Sequence, residues 1–171
     1  TPGRIDELYS PQITYTGVDS IKLTFDVAAA TYSYPGSTTI PVDTLQVLIT
    51  KDCGTTFTSI YKKWGADLQT VNAPNEAQPI EFIPSGALNW RTETIELSNL
   101  APDGPVQIVF RNTNNFENNI FIDNVNFITK TLPPRLKTEG VIVHPNPFQG
   151  QFTVWHYQPP SNLRYILVYN S

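Results

Sequence analysis

Residues Val106 to Ile128, VQIVFRNTNNFENNIFIDNVNFI, decide the fold of this chain. Two runs rich in Val, Ile and Phe flank the polar segment 112–119, NTNNFENN. β-Branched and aromatic residues fit a pleated surface, whereas Asn tolerates the left-handed backbone of turns. The pattern predicts two buried antiparallel strands joined by an asparagine-rich loop.

Two carboxylates interrupt otherwise apolar strand patterns. Asp123 lies with Asn124 inside the second apolar run, and Asp26 lies on the outward face of an earlier strand. Buried side-chain oxygens are costly unless they are hydrogen-bonded or bound to a metal. Calcium takes six to eight oxygens from carboxylates and carbonyls, so Asp26 and Asp123, with Asp6, Glu7 or Asp43 nearby, are candidate ligands of a structural calcium. The alternative is that Asp26 and Asp123 accept hydrogen bonds from loop amides.

Strand patterns recur through the first three quarters of the chain. Residues 21–29, IKLTFDVAA, alternate strictly between the two faces, which is the period of a half-buried strand. Segments 43–50, 57–64 and 89–97 are also predicted strands. Residues 4–20, interrupted by Pro11, read as an edge strand or as a strand that passes from one sheet to the other. Seven or eight strands over about 128 residues predict an all-β fold, an antiparallel jelly-roll β-sandwich.

Residues 50–57, TKDCGTTF, resemble the Asp-box hairpin. In that motif an Asp side chain caps backbone amides of a tight turn, a Gly supplies a positive φ, and an aromatic ring packs beneath. A single copy indicates a turn and no enzymatic activity.

Composition excludes several classes of function. The net charge of −4 argues against a nucleic-acid partner, because no basic face is present to neutralise phosphates. The single cysteine, Cys53, excludes an internal disulfide and a multi-thiolate zinc site. Met is absent, so we expect the sequence to be a piece of a longer protein. The abundance of Thr, Asn, Pro and Ser is typical of extracellular β-proteins.

Composition changes at Lys130. Residues 1–130 hold 8 basic and 14 acidic side chains, whereas residues 131–171 hold 3 and 1. Residues 131–140, TLPPRLKTEG, read as a proline-stiffened linker. The sequence therefore predicts a domain at 1–130, a linker at 131–140 and a second unit at 141–171.

The second unit begins VIVHPNPFQGQFTV, residues 141–154, and resembles the start of the type IX secretion sorting domain of Bacteroidetes. The PNP-x-x-G-x-F hallmark of that domain is matched by Pro145, Asn146, Pro147, Gly150 and Phe152. The resemblance implies that the type IX secretion machinery is a partner and that the protein is secreted or held at the outer-membrane surface. Such domains usually continue for several more strands, so we expect a truncated tail that forms a partial small β-sandwich.

The first unit resembles the jelly-roll modules, cleaved-adhesin and MAM-like, that precede such tails in secreted peptidases and adhesins. The matching features are the SPQI start at Ser10, the LTFDVA strand, the TKDCGTTF hairpin, the NWRTETIEL strand and the FRNTNN and FIDNV pair. The resemblance implies a non-catalytic accessory domain of a secreted zinc metallopeptidase. Its partners would be the upstream catalytic domain of that parent and an extracellular protein or glycan. Modules of this kind often hold one structural calcium.

The sequence offers little for catalysis. Both histidines, His144 and His156, lie in the tail, and neither an HExxH nor a Gly-x-Ser-x-Gly motif occurs. Cys53 sits in a tight turn and is interpreted as a structural thiol. We therefore expect no enzymatic activity from this chain.

A second hypothesis is a carbohydrate-binding module of a secreted glycan-degrading enzyme. Aromatic rings can stack on sugars, and the candidates are Tyr32, Tyr34, Trp64 and Trp90. The alternative is that these four rings pack in the core and at its rim.

Overall fold

The computed structural model describes residues 2–32, 36, 38, 40–71, 80–100, 103–147, 149–158 and 161–162. The chain divides into two compact units, unit 1 (Thr1–Lys130) and unit 2 (Thr131–Ser171). Within the described residues, no helix has both the length and the apolar character needed to cross a membrane.

Unit 1 consists of two antiparallel sheets. Its strands are β1 (Ile5–Tyr9), β2 (Ser20–Ala28), β3 (Thr44–Thr50), β4 (Thr58–Trp64), β5 (Arg91–Glu96), β6 (Gln107–Thr113) and β7 (Phe121–Lys130). One sheet has the order β1-β6-β3-β4 and the other β5-β2-β7. A short helix, α1 (Gly65–Leu68), follows β4, and two 3-10 turns flank β5 at Ala87–Asn89 and Ser98–Leu100. The predicted all-β, antiparallel sandwich is confirmed.

The strand pairs of unit 1 are those of one long hairpin that is rolled up into two sheets. β3 pairs with β4, β2 with β5, and β1 with β6, and successive pairs alternate between the two sheets. Pairing of β6 with β3 joins two of these pairs in one sheet. Pairing of β7 with β2 adds β7 to the other sheet. A long antiparallel hairpin wound in this way is a jelly roll.

The core lies between the sheets and is centred on β2. The inward residues Ile21, Leu23, Phe25 and Val27 are fully buried, as their alternation predicts. The ring of Phe25 lies edge-on to that of Phe110, with centroids 5.2 Å apart. Burying each such side chain stabilises the fold by about 1.5–3 kcal/mol, so β2 fixes one sheet against the other.

The stretch 106–128 folds differently from the prediction. β6 lies between β1 and β3, whereas β7 is at the edge of the other sheet, so the two strands do not pair with each other. The asparagine-rich loop crosses between sheets. The middle of β6 is buried, but most residues of β7 are exposed, because among the described strands β7 has one neighbour and β6 has two. The predictions that these strands pair and that both are buried are wrong.

The hairpin between β3 and β4 has the predicted Asp-box contacts. Asp52 Oδ1 accepts a hydrogen bond from the Thr56 backbone N–H at 2.8 Å, and Gly54 has φ +88°. The Phe57 ring lies 3.5 Å from where a Cβ on Gly54 would stand. Hydrogen bonds from the Thr56 hydroxyl and backbone and from Thr50 lower the pKa of Asp52 to about 2.

Unit 2 begins with a helix where the sequence predicts a linker. Helix α2 (Pro134–Glu139) starts with a proline, which suits a first turn whose N–H groups have no partner within the helix. It ends at Gly140, which has φ 75° and donates its N–H to the Leu136 carbonyl at 2.9 Å. Strands β8 (Val141–His144) and β9 (Thr153–His156) then form an antiparallel pair. Residues 163–171 lie outside the described residues.

Candidate functional site

A cluster of buried polar groups fixes the asparagine-rich loop to the start of β3. Asp43 is only 1% exposed. Its Oδ1 accepts hydrogen bonds from the backbone N–H groups of Asn115 at 2.5 Å and Glu117 at 3.2 Å. Its Oδ2 lies 3.3 Å from the Asn112 side-chain amide, which donates to it. Asp43 therefore satisfies backbone groups that the loop would otherwise bury without a partner.

A second hydrogen bond joins Glu117 to Asp43, with Glu117 as the acceptor. Its Oε2 accepts a hydrogen bond from the Asp43 backbone N–H at 2.5 Å. Glu117 Oε1 and Asn112 Oδ1 are buried and have no hydrogen-bond partner among the described residues. Burial raises the pKa of Glu117 to about 7, the Asp43 backbone N–H opposes that rise, and the Asp43 carboxylate adds to it. Glu117 is thus a carboxyl that changes its charge near neutral pH.

An apolar groove opens beside this cluster, on the side of the sandwich between β1 and β7. The cavity measures about 340 Å³. Its apolar lining comes from strands of both sheets and from the residue before β7: Leu8, Leu45, Phe110, Ile122 and Ile120. Asp6, Glu7 and Asn112 complete the lining. The sequence does not reveal this groove, because its lining residues come from segments that are far apart in the chain.

The predicted calcium ligands lie side by side on the outer face of β2 and β7. Asp26 and Asp123 are partners in the strand register. Asp26 accepts hydrogen bonds from the Thr92 hydroxyl at 2.5 Å and the Asn124 side-chain amide at 2.7 Å, and these bonds lower its pKa. Asp123 Oδ1 accepts the Asn124 backbone N–H at 2.7 Å.

Both carboxylates accept hydrogen bonds, and the donors are Thr92 on β5 and Asn124 on β7, not loop amides. In the described part of the chain, no group of three or more His, Cys, Asp or Glu residues is placed to hold a metal ion. Asp43, which the sequence offered with Asp6 and Glu7 as a possible further ligand, accepts hydrogen bonds from the backbone N–H groups of Asn115 and Glu117.

The four candidate glycan-stacking aromatics have different surroundings. Trp64 ends β4 and is 48% exposed, with Lys62 Nζ 5.7 Å from its ring centre. Trp90 packs against a small apolar cluster that includes Ala28 and Phe82. Tyr32 is half-buried, and Tyr34 lies outside the described residues. The structure therefore presents Trp64 to solvent and gives Trp90 a packing role.

The residues of the sorting motif lie in the turn between β8 and β9. Pro145, Asn146, Pro147 and Gly150 are exposed, and Phe152 is half-buried. Gly150 has φ +87°, a conformation that residues with a Cβ rarely adopt, so glycine is favoured at this bend.

The cysteine and the histidines occupy different units. Cys53 is exposed in the Asp-box turn of unit 1, where its Sγ lies 3.8 Å from the Gln12 side-chain amide. His144 and His156 belong to β8 and β9 of unit 2.

No protein-family model matches the chain, and no curated protein matches it significantly.

Proposed function

We propose that this chain is a non-catalytic accessory module of a larger secreted or cell-surface protein. Unit 1 serves in adhesion, in docking of substrate or in stabilising its parent. Unit 2 carries the first part of a type IX secretion sorting signal. The parent indicated by the resemblance of unit 1 is a secreted zinc metallopeptidase.

The exposed motif turn is the observation that carries this proposal. A secretion machine can read a sorting signal only if the residues of the signal are accessible. Pro145, Asn146 and Pro147 are exposed on a turn of a unit that is compact in its own right. The backbone of that turn bends at Gly150, which is the position of the glycine in the motif.

The test is to follow export of the parent protein in a bacterium that has type IX machinery. One variant replaces Pro145, Asn146 and Pro147 with alanine. The control replaces Gln149 and Gln151, which are exposed in the same turn but lie outside the motif. We expect the first variant to accumulate in the periplasm and the control to reach the surface. Equal surface delivery of both variants would contradict the proposal.

The exposure of Trp64 favours the second candidate, a carbohydrate-binding module. A glycan array with the intact chain would reveal binding, and Trp64→Ala should abolish that binding if the ring stacks on sugar. Phe116→Ala is the control, because Phe116 is also 48% exposed and lies in the loop between β6 and β7, whereas Trp64 ends β4. Loss of binding in both variants, or in neither, excludes Trp64 as the stacking residue.

A structural calcium at Asp26 and Asp123 remains part of the proposal and is tested by a thermal melt with calcium and with chelator. A ligand at about a hundred times its dissociation constant stabilises the folded state by roughly 2.7 kcal/mol, which raises the melting temperature by several degrees. Asp26→Asn should remove the calcium-dependent shift, whereas Asp67→Asn, on α1, should retain it. If wild type shows no shift, the two carboxylates serve only as hydrogen-bond acceptors.

A further inference from the structure

The rolled pairing of unit 1 leaves one strand without its counterpart. The pairs β3·β4, β2·β5 and β1·β6 are nested in the sequence, so that each pair encloses the one before it. The next pair in this series would join β7 to a strand that comes before β1 in the chain. Among the described residues, β7 has a single strand neighbour, β2, and its other edge is open.

The inner faces of the two strands beside this opening are uncovered. Leu8 on β1 is in register with the core residue Phe110 and so belongs to the inner face, yet it is 64% exposed. Val125 lies two residues before Phe127, which is in register with the core residue Leu23. Val125 therefore also belongs to the inner face, yet it is 47% exposed. Large apolar residues on the core face of a sandwich are normally buried, so this part of the core lacks its cover.

The groove lined by Leu8 and Ile122 has room for side chains from another strand. Its volume of about 340 Å³ is more than twice the roughly 150 Å³ that holds a benzene ring. β7 contributes Ile122, near its start, to the lining of the groove. Farther along, the ring of Tyr15 covers that of Phe127, with centroids 5.6 Å apart.

The direction of the chain fits a strand at this edge. Gly3 donates its N–H to the Asn114 carbonyl at 2.7 Å, and Asn114 donates to the Arg4 carbonyl at 2.8 Å. The segment that enters β1 therefore lies beside the loop that leads into β7. A strand antiparallel to β7 would end next to Phe121, where β7 begins, and would need only a short crossover to reach Ile5, where β1 begins.

We propose that the open edge of β7 takes up an eighth strand, contributed by the stretch of the same polypeptide that leads into β1. This strand runs antiparallel to β7 and places alternate apolar side chains between Leu8, Ile122 and Val125. It completes a sandwich of four strands over four.

A second copy of the chain fits this edge less well. The register between β2 and β7 is irregular between Thr24 and Asp26, and Asn124, opposite this site, has φ 49°. Such a bulge twists an edge strand and hinders its pairing with an identical edge. A strand supplied within the same polypeptide can match the bulge, because its sequence is free to differ from that of β7.

Hydrogen exchange tests the proposal directly. The chain Thr1–Ser171 is compared with a longer one that includes the residues encoded directly ahead of Thr1. We expect backbone amides in the first half of β7 to exchange at least about tenfold more slowly in the longer chain, at any protein concentration. Unchanged exchange overturns the proposal. Protection that appears in both chains only as concentration rises overturns it in favour of a second copy.

A pair of matched variants gives an independent readout. Val125→Asp places a charge on the inner face, where the eighth strand would bury it. Ile128→Asp is the control, because Ile128 is equally exposed at 48% but is in register with Lys22 on the outer face. Val125→Asp should lower the melting temperature of the longer chain clearly more than that of Thr1–Ser171. Ile128→Asp should lower both by the same amount. Equal losses for Val125→Asp in the two chains contradict the proposal.

Discussion

Glu117 couples its ionisation to the fold of unit 1. The carboxyl is taken out of water beside Asp43, and its pKa is about 7 in the folded chain against 4.5 for the free side chain. A pKa raised on folding means that the folded state favours the protonated form. The resulting stability is fully present below about pH 4.5 and is lost as the pH rises through 7.

We predict that wild type is less stable at pH 8 than at pH 5 and that Glu117→Gln removes most of this difference. The amide oxygen of Gln can still accept the Asp43 N–H, and Gln carries no charge to bury. The gain at pH 8 is at most about 3 kcal/mol, and less because the side chain is partly solvated. Urea unfolding at both pH values measures it, with the exposed Glu81→Gln as control. A variant that keeps the wild-type pH dependence would contradict this account.

The role of a single residue could be predicted where its hydrogen-bond partners lie close to it in the chain. Asp52 and its acceptor role could be predicted, because the whole Asp-box hairpin lies within eight residues, 50–57. Glu117 was overlooked, because its partner Asp43 is 74 residues away and its burial arises only when β3 and the loop come together. Asp26 was noticed through the cost of a carboxylate in a strand, but its donor Thr92 could not be foreseen.

At the scale of elements, Glu93 links strands from different sheets. Its carboxylate accepts hydrogen bonds from Lys63 Nζ on β4 at 2.8 and 2.9 Å and from Arg91 Nε on β5 at 2.8 Å. Burial acts to raise the pKa of Glu93, but the two cations outweigh it and hold the pKa below its usual value. Arg91 also donates to the Leu68 carbonyl, so the same network fixes the end of α1.

We predict that Glu93→Ala destabilises unit 1 by about 1–3 kcal/mol, because hydrogen bonds to a charged group are lost and two cations remain without their acceptor. Glu96→Ala is the matched control. Glu96 lies on the same strand, but its ion pair with Lys22 is exposed and should contribute about 1 kcal/mol or less. Urea unfolding of the two variants compares the losses. Equal losses would show that the link between sheets adds nothing.

Element positions could be predicted better than element partners. Residues 21–29 were predicted as a strand, and β2 spans Ser20–Ala28. The pairing of β6 with β7 was wrong, because alternation shows which face of a strand is buried and not which strand lies beside it. Helix α2 was missed, because six residues are too few to reveal a period of 3.6.

At the scale of the whole molecule, unit 1 holds a core made entirely of its own residues. All members of the main apolar cluster, from Ile13 to Phe127, lie within Thr1–Lys130. We predict that the fragment Thr1–Lys130 unfolds cooperatively, within a few degrees of the main transition of the full chain. Thermal melts of both chains, followed by near-ultraviolet circular dichroism, measure this. A fragment without a cooperative transition would show that unit 1 depends on unit 2.

The nested pairing of unit 1 also sets the order in which the chain can fold. Among its described strands, only β3 and β4 are both consecutive and paired, and the Asp52 turn joins them. The outermost pair brings Ile5 to Thr113, across most of the unit. The entropy lost on closing a loop grows with its length, and chains dominated by distant pairs fold in milliseconds to seconds. We therefore expect slow folding that begins at the Asp52 turn and winds outward, with β1 among the last strands to join.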